Sequence, residues 1–528
     1  MTRGEGTTGE TVVAGGTDGA TGSARRAGTV SRRKVLLSGG LLGTAALSGV
    51  GGWQIGQQLS PAPSGAAAAP PGSAAYGHFV TEPDLRPPHL QVADLGVERS
   101  TGHVLLTPSL LPGVRGVPST PGGSQMGLSM TDVRGQLVWF VPTSQLATNL
   151  EVQTYRGKPV LTYWTGNIVG GIGYGNGYVL DSTYQKVATI KAGNGLQTDL
   201  HELTLTPEGT ALITAYRQRA ADLSKVGGPK DGSVFESVVQ EVDVATGKVR
   251  FQWNSLDHVG VDESYTPVSP TPMDYFHVNS VSLWDDHSLL VSGRNTWAVY
   301  RIDRRTGAVI WRLGGKRSDF AIGKGANFEW QHHVRRVGPT AMTVFDDAAT
   351  PAEERQSRGL LLRVDEGGRR VSLTRAYTHP MGLLAFYEGS VQVLPDGHVF
   401  VGWGTEPYAS EFDAEGNLLL DVRLPTNHQS YRAFRGVWHG LPQTSPRLVV
   451  DKDAIGGYAA HVSWNGATDV AHWELVSGSS PRSLTRIGHV PKSGFETAVT
   501  LHPVGSHVAV AALDPQGRRL GMSPVVRI

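Results

Sequence analysis

Two short turn units recur along the middle of the chain, and they limit its fold more than any other feature. The first is Asp-x-x-Thr-Gly, or Asp-x-x-Gly, followed by a strand with Trp or another bulky apolar residue. It stands as Asp132-Val133-Arg134-Gly135 before LVWFV and as Asp243-Val244-Ala245-Thr246-Gly247 before KVRFQW. It returns as Asp303-Arg304-Arg305-Thr306-Gly307 before AVIWRL and as Asp413-Ala414-Glu415-Gly416 before NLLLDV. Asp181-Ser182-Thr183-Tyr184-Gln185 before KVATI is a degenerate copy. The second unit is strand, Pro-Glu/Asp-Gly or a similar turn, strand. It reads LTLTPEGTALIT at 203–214, VSLWDDHSLLVS at 281–292 and VQVLPDGHVFVG at 391–402. Asp bonds its own backbone in a tight turn and Gly supplies the left-handed conformation, so both units predict antiparallel hairpins.

Alternating the two turns gives four-stranded sheets, with inner strands joined at the Pro-Asp-Gly turn and outer strands at the Asp-x-x-Thr-Gly turn. The spacing is irregular, which suits a β-propeller with loop insertions. The expected fold is therefore all-β: a six-bladed β-propeller over 86–441. Its units lie near 89–142, 150–192, 198–253, 275–313, 328–378 and 386–424. A pair of large β-sandwiches is the competing architecture, but sandwiches lack the repeated turn-then-Trp unit. Loops over 218–233, 257–273 and 346–358 are expected on a rim of the disk, where insertions are tolerated.

Both ends depart from this pattern. Residues 1–30 are rich in Gly, Thr, Ser and Ala and read as a disordered tail. Ser31-Arg32-Arg33-Lys34-Val35-Leu36-Leu37 precedes a Gly-interrupted apolar run, so 31–69 resembles a twin-arginine export signal or a short anchor. Small residues at 64–69 offer a cleavage site. Residues 70–85 are a linker. This predicts an extracytoplasmic protein, secreted or attached to the cell envelope, exported folded by the twin-arginine machinery. At the other end, 442–528 alternates with period two and turns often, as a small β-sandwich does. It resembles a fibronectin type III domain, with Trp464 as the early core tryptophan. His507 stands where that family usually has a tyrosine.

Charge and cysteine content remove several functions. Lys+Arg 47 against Asp+Glu 46 gives a net charge of +1, which argues against a nucleic-acid partner. With Cys 0, disulfides, iron–sulfur clusters and thiol catalysis are excluded.

Polar clusters stand where inner strands begin. Asp199 and His201 precede the strand leading to Pro207-Glu208-Gly209, and His277 and Asn279 precede the one leading to Asp285-Asp286. Alternation puts both members of each pair on one strand face. Gln331-His332-His333 opens the fifth unit, and Arg294 ends the strand after His277. Glu388 and Gly389 precede the sixth inner strand, leaving that wall open. Histidines bind metals, but Arg294 opposes a cation, so no metal or cofactor is expected. Histidines with an arginine better suit a tetrahedral oxyanion such as sulfate or phosphate.

The set DLHEL, YFHVNSV, VSGRNT, WRLGGKRSDF, WQHH, SRG at 357–359, VGWG and YRAFR resembles the bacterial arylsulfotransferase family that works without nucleotide sulfate donors. The match covers about 86–440. It implies a six-bladed propeller that moves a sulfuryl group from an aryl sulfate to a phenol, by ping-pong kinetics, through a sulfated histidine. The resemblance implies catalytic roles for His332, His277, His201 and Arg294, with His332 as nucleophile. Asn279, Asp199 and His333 fall beside them as substrate-binding positions. A second imidazole would handle the phenol's proton. Relatives often carry Asp after the reactive histidine, where this chain has His333. His332 and His333 thus both stay open as nucleophile, and no acidic partner is assigned. The alternatives are a non-catalytic extracytoplasmic binding propeller, or a hydrolase or lyase acting on an anionic substrate in the same pocket.

Overall fold

The computed structural model describes residues 76–528 apart from 96–99, 112–122, 269–271 and 453–456. The expected tail over 1–30, the signal over 31–69 and the first part of the linker lie outside the described residues. The fold is all-β. None of the described helices is long and apolar enough to cross a membrane.

Six sheets of four or more strands follow one another along the chain. In the second, strands run in sequence order from Leu146–Tyr155 through Lys158–Val169 and Ile172–Leu180 to Lys186–Ile190. The third is Leu203–Leu205, Thr210–Ala221, Gly232–Asp243 and Val249–Asn254. The fourth is Val278–Asp285, Ser288–Gly293, Ala298–Asp303 and Val309–Gly314. The fifth runs from His332–Gly338 through Ala341–Asp346 and Arg358–Asp365 to Arg370–Tyr377. The sixth runs from Ser390–Val393 through Val399–Gly402 and Tyr408–Phe412 to Leu418–Arg423. All pairings within these meanders are antiparallel.

The unit expected over 89–142 is not one sheet, which corrects the sequence reading. Gln91–Asp94 pairs with the outer edge of the sixth sheet. The first sheet takes its innermost strand from the far end of the ring: His428–Gly436 pairs with His103–Leu110, followed by Gly127–Thr131 and Leu137–Pro142. Early and late segments thereby cover each other's sheet edges, which would otherwise be open to association.

Adjacent sheets share apolar cores, and the sharing closes on itself. Leu105 and Met130 of the first sheet pack with Leu161 and Leu180 of the second. Val160 and Val179 pack with Leu203 and Ile213 of the third, and Leu212 and Trp253 with Val281 and Tyr300 of the fourth. Leu290 and Trp311 meet Val334 and Leu360 of the fifth, and Phe345 and Tyr377 meet Val391 and Val401 of the sixth. Phe400 and Leu420 then meet Val104 and Ala433 of the first. The architecture is β-propeller-like, with its core divided among the sheet interfaces.

The recurrent turns have a direct local cause. Asp243 Oδ1 accepts from Thr246 N and Oγ1 at 2.9 and 2.8 Å, and Asp303 Oδ1 accepts from Thr306 N and Oγ1 at 2.6 and 2.9 Å. Gly247 and Gly307 occupy φ 70° and 76°, where a Cβ is unfavourable. In the degenerate copy, Tyr184 itself takes φ 62°. The Trp after the turn locks neighbouring sheets: Trp253 Nε1 donates to Gly307 O at 3.1 Å.

Beyond the ring, two further sheets share a core of Val462, Trp464, Trp473, Leu475, Val508 and Val510. One contains Arg447–Lys452, Tyr458–Ser463 and Glu496–Leu501; the other contains Thr485–Pro491, His472–Gly478, His507–Leu513 and Arg519–Met522. Asn465 bonds both backbone polar groups of Phe140, at 3.0 and 2.9 Å, and Tyr184 Oη donates to Gly466 O at 2.6 Å. These contacts fasten this part to the outer edges of the first two sheets.

One carboxylate ties the ring together near its axis. Glu202 precedes the third sheet. It accepts from Val281 N of the fourth sheet at 3.0 Å, Arg335 of the fifth at 2.8 Å and Arg432 of the first at 3.3 Å. Its side chain is 1% exposed. Burial pulls its pKa up, but Arg335 and Arg432 outweigh burial and hold it below the usual range. Its stabilisation is thus full above the unfolded glutamate pKa of about 4.3 and fades as pH falls through the lower folded value. A Glu202→Gln variant leaves the buried Arg432 and the half-buried Arg335 uncompensated and should lose about 3 kcal/mol, measured as a lower urea midpoint at neutral pH. The gap to wild type should close in acid.

Candidate active site

The starts of the innermost strands carry an unusual backbone. His277, Trp330, Glu388 and Asn427 have φ of 54°, 57°, 77° and 67°, and each stands just before such a strand. Residues with a Cβ seldom adopt this conformation, and when they do the surroundings must enforce it.

His332 is the centre of this group. It begins the innermost strand of the fifth sheet and is 2% exposed. Its Nδ1 lies 2.7 Å from Asp347 Oδ2, and its Nε2 is faced by the backbone N–H of Glu388 at 3.4 Å. Nε2, facing a backbone N–H, is therefore the acceptor nitrogen and Nδ1 carries the proton, donating to Asp347 Oδ2. Burial pushes the Asp347 carboxyl well above its usual range, and the Arg294 guanidinium opposes that rise. Burial lowers the basicity of His332 most, followed by the positive field of Arg294, with His201 and His277 adding to it. Those three groups are within electrostatic reach of the ring. His332 is a neutral imidazole at neutral pH.

His201 and His277 form a second unit. His201 Nδ1 meets Asp199 Oδ2 at 2.6 Å, and His277 Nδ1 meets Asp274 Oδ2 at 2.5 Å. Their Nε2 atoms are 3.2 Å apart, with the rings near perpendicular at 84°. Both Nδ1 atoms are turned to carboxylates, so a hydrogen bond between the two Nε2 atoms needs one further shared proton. Burial lowers the basicity of His201, and Asp199 beside it opposes that shift.

Arg294 follows the second strand of the fourth sheet. Its guanidinium lies over Trp330 at 4.8 Å and donates to Phe386 O at 3.2 Å and Asn295 Oδ1 at 3.1 Å. Its Nε is buried without a protein partner. Tyr431 Oη is likewise buried and unpartnered, with its ring 5.8 Å from that of His201. An anion placed between them would find unused donors.

Asp199, Asn279 and His333, grouped by sequence with the substrate-binding positions, have other partners. Asp199 accepts from Gly173 N, His201 N, His201 Nδ1 and Thr214 Oγ1, which saturates it. Asn279 Nδ2 donates to Gln331 O at 2.6 Å, pinning the segment that carries His332. His333 Nδ1 accepts from Val391 N at 3.2 Å, and its ring packs on Phe434. No carboxylate partner of His333 is seen among the described residues.

Two expectations are corrected. The missing acidic partner is present, but it comes from the next strand of the same sheet rather than from the position after His332. Asp347 follows Ala341–Asp346 as Arg294 follows Ser288–Gly293, so counting strands would have found it. The wall at Glu388 is not open: its N–H faces His332 Nε2 at 3.4 Å and its carboxyl is buried close enough to act on Asp347. Asp274, three residues before His277, was also missed. Among the described residues, no group of three or more His, Asp or Glu is arranged to hold a metal ion.

The geometry is that of a group-transfer site: one neutral, acid-oriented imidazole beside donors suited to an oxyanion. The family model for arylsulfotransferase (ASST) matches residues 151–424, just over half of the chain, and the protein belongs to that family. It is a sulfotransferase at family level, and the family implies aryl sulfate and phenol substrates. No curated protein was found to match the chain. Among solved structures, it is similar to a Bacteroides caccae protein of unknown function: 13% identity, TM-score 0.39, covering 63% of this chain and 98% of that one. It is similar to a virginiamycin B lyase from Staphylococcus aureus at 9% identity and TM-score 0.33, covering 71% and 97%. The Cps50 (Swd1) β-propeller domain of Myceliophteria thermophila gives 12% identity and TM-score 0.31, covering 61% and 96%. These distant likenesses bear no weight for the site.

Proposed function

We propose that this chain is a six-bladed propeller sulfotransferase that moves a sulfuryl group from an aryl sulfate to a phenol through a sulfo-His332 intermediate. The observation that carries this is His332 itself, with Nδ1 held by Asp347 at 2.7 Å and a neutral Nε2 beside Arg294, His201 and His277.

In the first half-reaction, the Nε2 lone pair forms a bond to sulfur while the bond from sulfur to the aryl oxygen breaks and its electrons leave with the phenolate. Sulfuryl transfer parallels phosphoryl transfer, so positioning and charge stabilisation dominate. Arg294 Nε–H, buried without a protein partner, is the donor available to the sulfuryl oxygens. The ring of His332 becomes positive as the N–S bond forms, and Asp347 offsets that charge through Nδ1–H. An acceptor phenolate then attacks sulfur and the N–S electrons return to Nε2.

The leader at 31–69 would deliver the folded protein out of the cytoplasm by the twin-arginine route, and 442–528 would be a fibronectin-III-like sandwich. Both rest on sequence pattern; the two-sheet core around Trp464 and Trp473 supports the second.

Turnover of a chromogenic aryl sulfate with and without added phenol tests the reaction. Release of aryl product only with phenol, with parallel-line kinetics, is the expected result. Release without phenol would make the protein a hydrolase, and no release from any aryl sulfate would favour a binding protein.

A further inference from the structure

The transfer leaves a proton to be moved. The departing phenolate is a base with a conjugate pKa near 10 if it resembles tyrosine, and the incoming phenol must lose a proton. The imidazoles are committed. His332 uses Nδ1 for Asp347 and Nε2 for sulfur, and the Nε2 atoms of His201 and His277 face each other at 3.2 Å.

Glu388 is free for the task. Its N–H lies 3.4 Å from His332 Nε2, so the residue borders the atom that takes sulfur. Its left-handed backbone, φ 77°, is fixed by Gly389 N donating to Tyr431 O at 3.0 Å. Oε1 has one long contact, Gln429 Nε2 at 3.4 Å, and Oε2 is buried without a partner. Asp347, Tyr431 and Tyr387 all feel its charge when it ionises, and Arg294 acts on the same three groups, so the side chain lies among them.

We propose that Glu388 is the proton carrier of the transfer, giving its proton to the departing phenolate and taking one from the acceptor phenol. In the first half, the carboxyl O–H bond breaks, an O–H bond forms on the phenolate, and Glu388 becomes a carboxylate. In the second, the carboxylate takes the acceptor's proton as the phenol oxygen bonds to sulfur. The cycle restores both Glu388 and His332. Burial supports the assignment by pushing the carboxyl up to about 8, so it is protonated at neutral pH yet able to ionise. That value is matched to proton transfer near neutrality.

The inference rests on the sulfo-His332 reading, and a leaving-group comparison separates the two. Single-turnover sulfation is followed in wild type and Glu388→Gln with a nitrophenyl sulfate and an unsubstituted phenyl sulfate. A nitrophenolate needs little protonation. The variant should slow about 100-fold or more with phenyl sulfate and only a few-fold with the nitrophenyl donor, since general acids contribute on the order of 10²–10⁴. In wild type, phenol-dependent desulfation should rise with pH through about 8 while sulfation by phenyl sulfate falls, and the variant should lose both limbs. Glu388→Asp should restore part of the phenyl sulfate rate, which guards against loss of fold. Equal slowing with both donors, or retained pH limbs in Glu388→Gln, would overturn the role of Glu388 and leave sulfo-His332 intact. Failure of wild type to sulfate His332 with either donor would remove both readings.

Discussion

An Asp347→Asn variant is expected to keep its fold and lose aryl sulfate transfer by about 10³–10⁴-fold in kcat. Asparagine fits the same space but offers an N–H to His332 Nδ1 where the carboxylate accepts one. The ring must then place its proton on Nε2, where the Glu388 N–H already points, at 3.4 Å. The nucleophilic lone pair is gone. The same substitution beside the histidine of a serine protease triad costs about 10⁴-fold by this tautomer change. Steady-state transfer and the rate of His332 sulfation should fall together, with donor KM little changed. A variant within tenfold of wild type would show that Asp347 has no part in setting the tautomer. Urea unfolding should report a comparable midpoint, because an amide retains one hydrogen bond at the buried position.

Replacing the two adjacent histidines separately should give opposite results. His332→Asn removes the nitrogen placed to receive sulfur, so transfer should fall by at least about 10³-fold. Peptide mapping after mixing with donor should find no sulfuryl adduct on residues 328–336. His333→Ala should leave kcat within a few-fold and cost about 1–3 kcal/mol of stability, because it orphans Val391 N and opens space beside Phe434. Retained transfer in His332→Asn, or its loss in His333→Ala with normal stability, would move the nucleophile to His333.

The legible part of the site was the part written in periodic positions. Counted back from the hairpin turns, Asp199 aligns with His277 and His201 with Asn279, and this repeated position marked the level of the site. The 2.6 Å contact of Asp199 with His201 is made in the bend that precedes Leu203–Leu205, not by alternation along a strand. Glu388 was visible too but was set aside, since no local pattern marks a carboxyl whose meaning comes from burial. The choice between His332 and His333 was not legible. Adjacent residues on a strand point to opposite faces, and which face meets the cavity depends on a left-handed twist at Trp330 that propensity does not encode. Asp347 lay fifteen residues beyond His332, across a hairpin whose turn has neither repeated motif.

By itself the sequence determined that the chain is all-β, where its hairpins turn, and that it carries the arylsulfotransferase motifs. These depend on local chemistry: Asp bonding its own turn, Gly supplying positive φ, and side chains alternating with period two. The tertiary structure alone decided how the ring closes, with His428–Gly436 completing a sheet begun more than three hundred residues earlier. It also decided which imidazole faces Asp347, which carboxylate stays unpaired, and which three sheets converge on Glu202. Those outcomes depend on burial and on distances between segments far apart in sequence, set only when the shared cores lock neighbouring sheets into place.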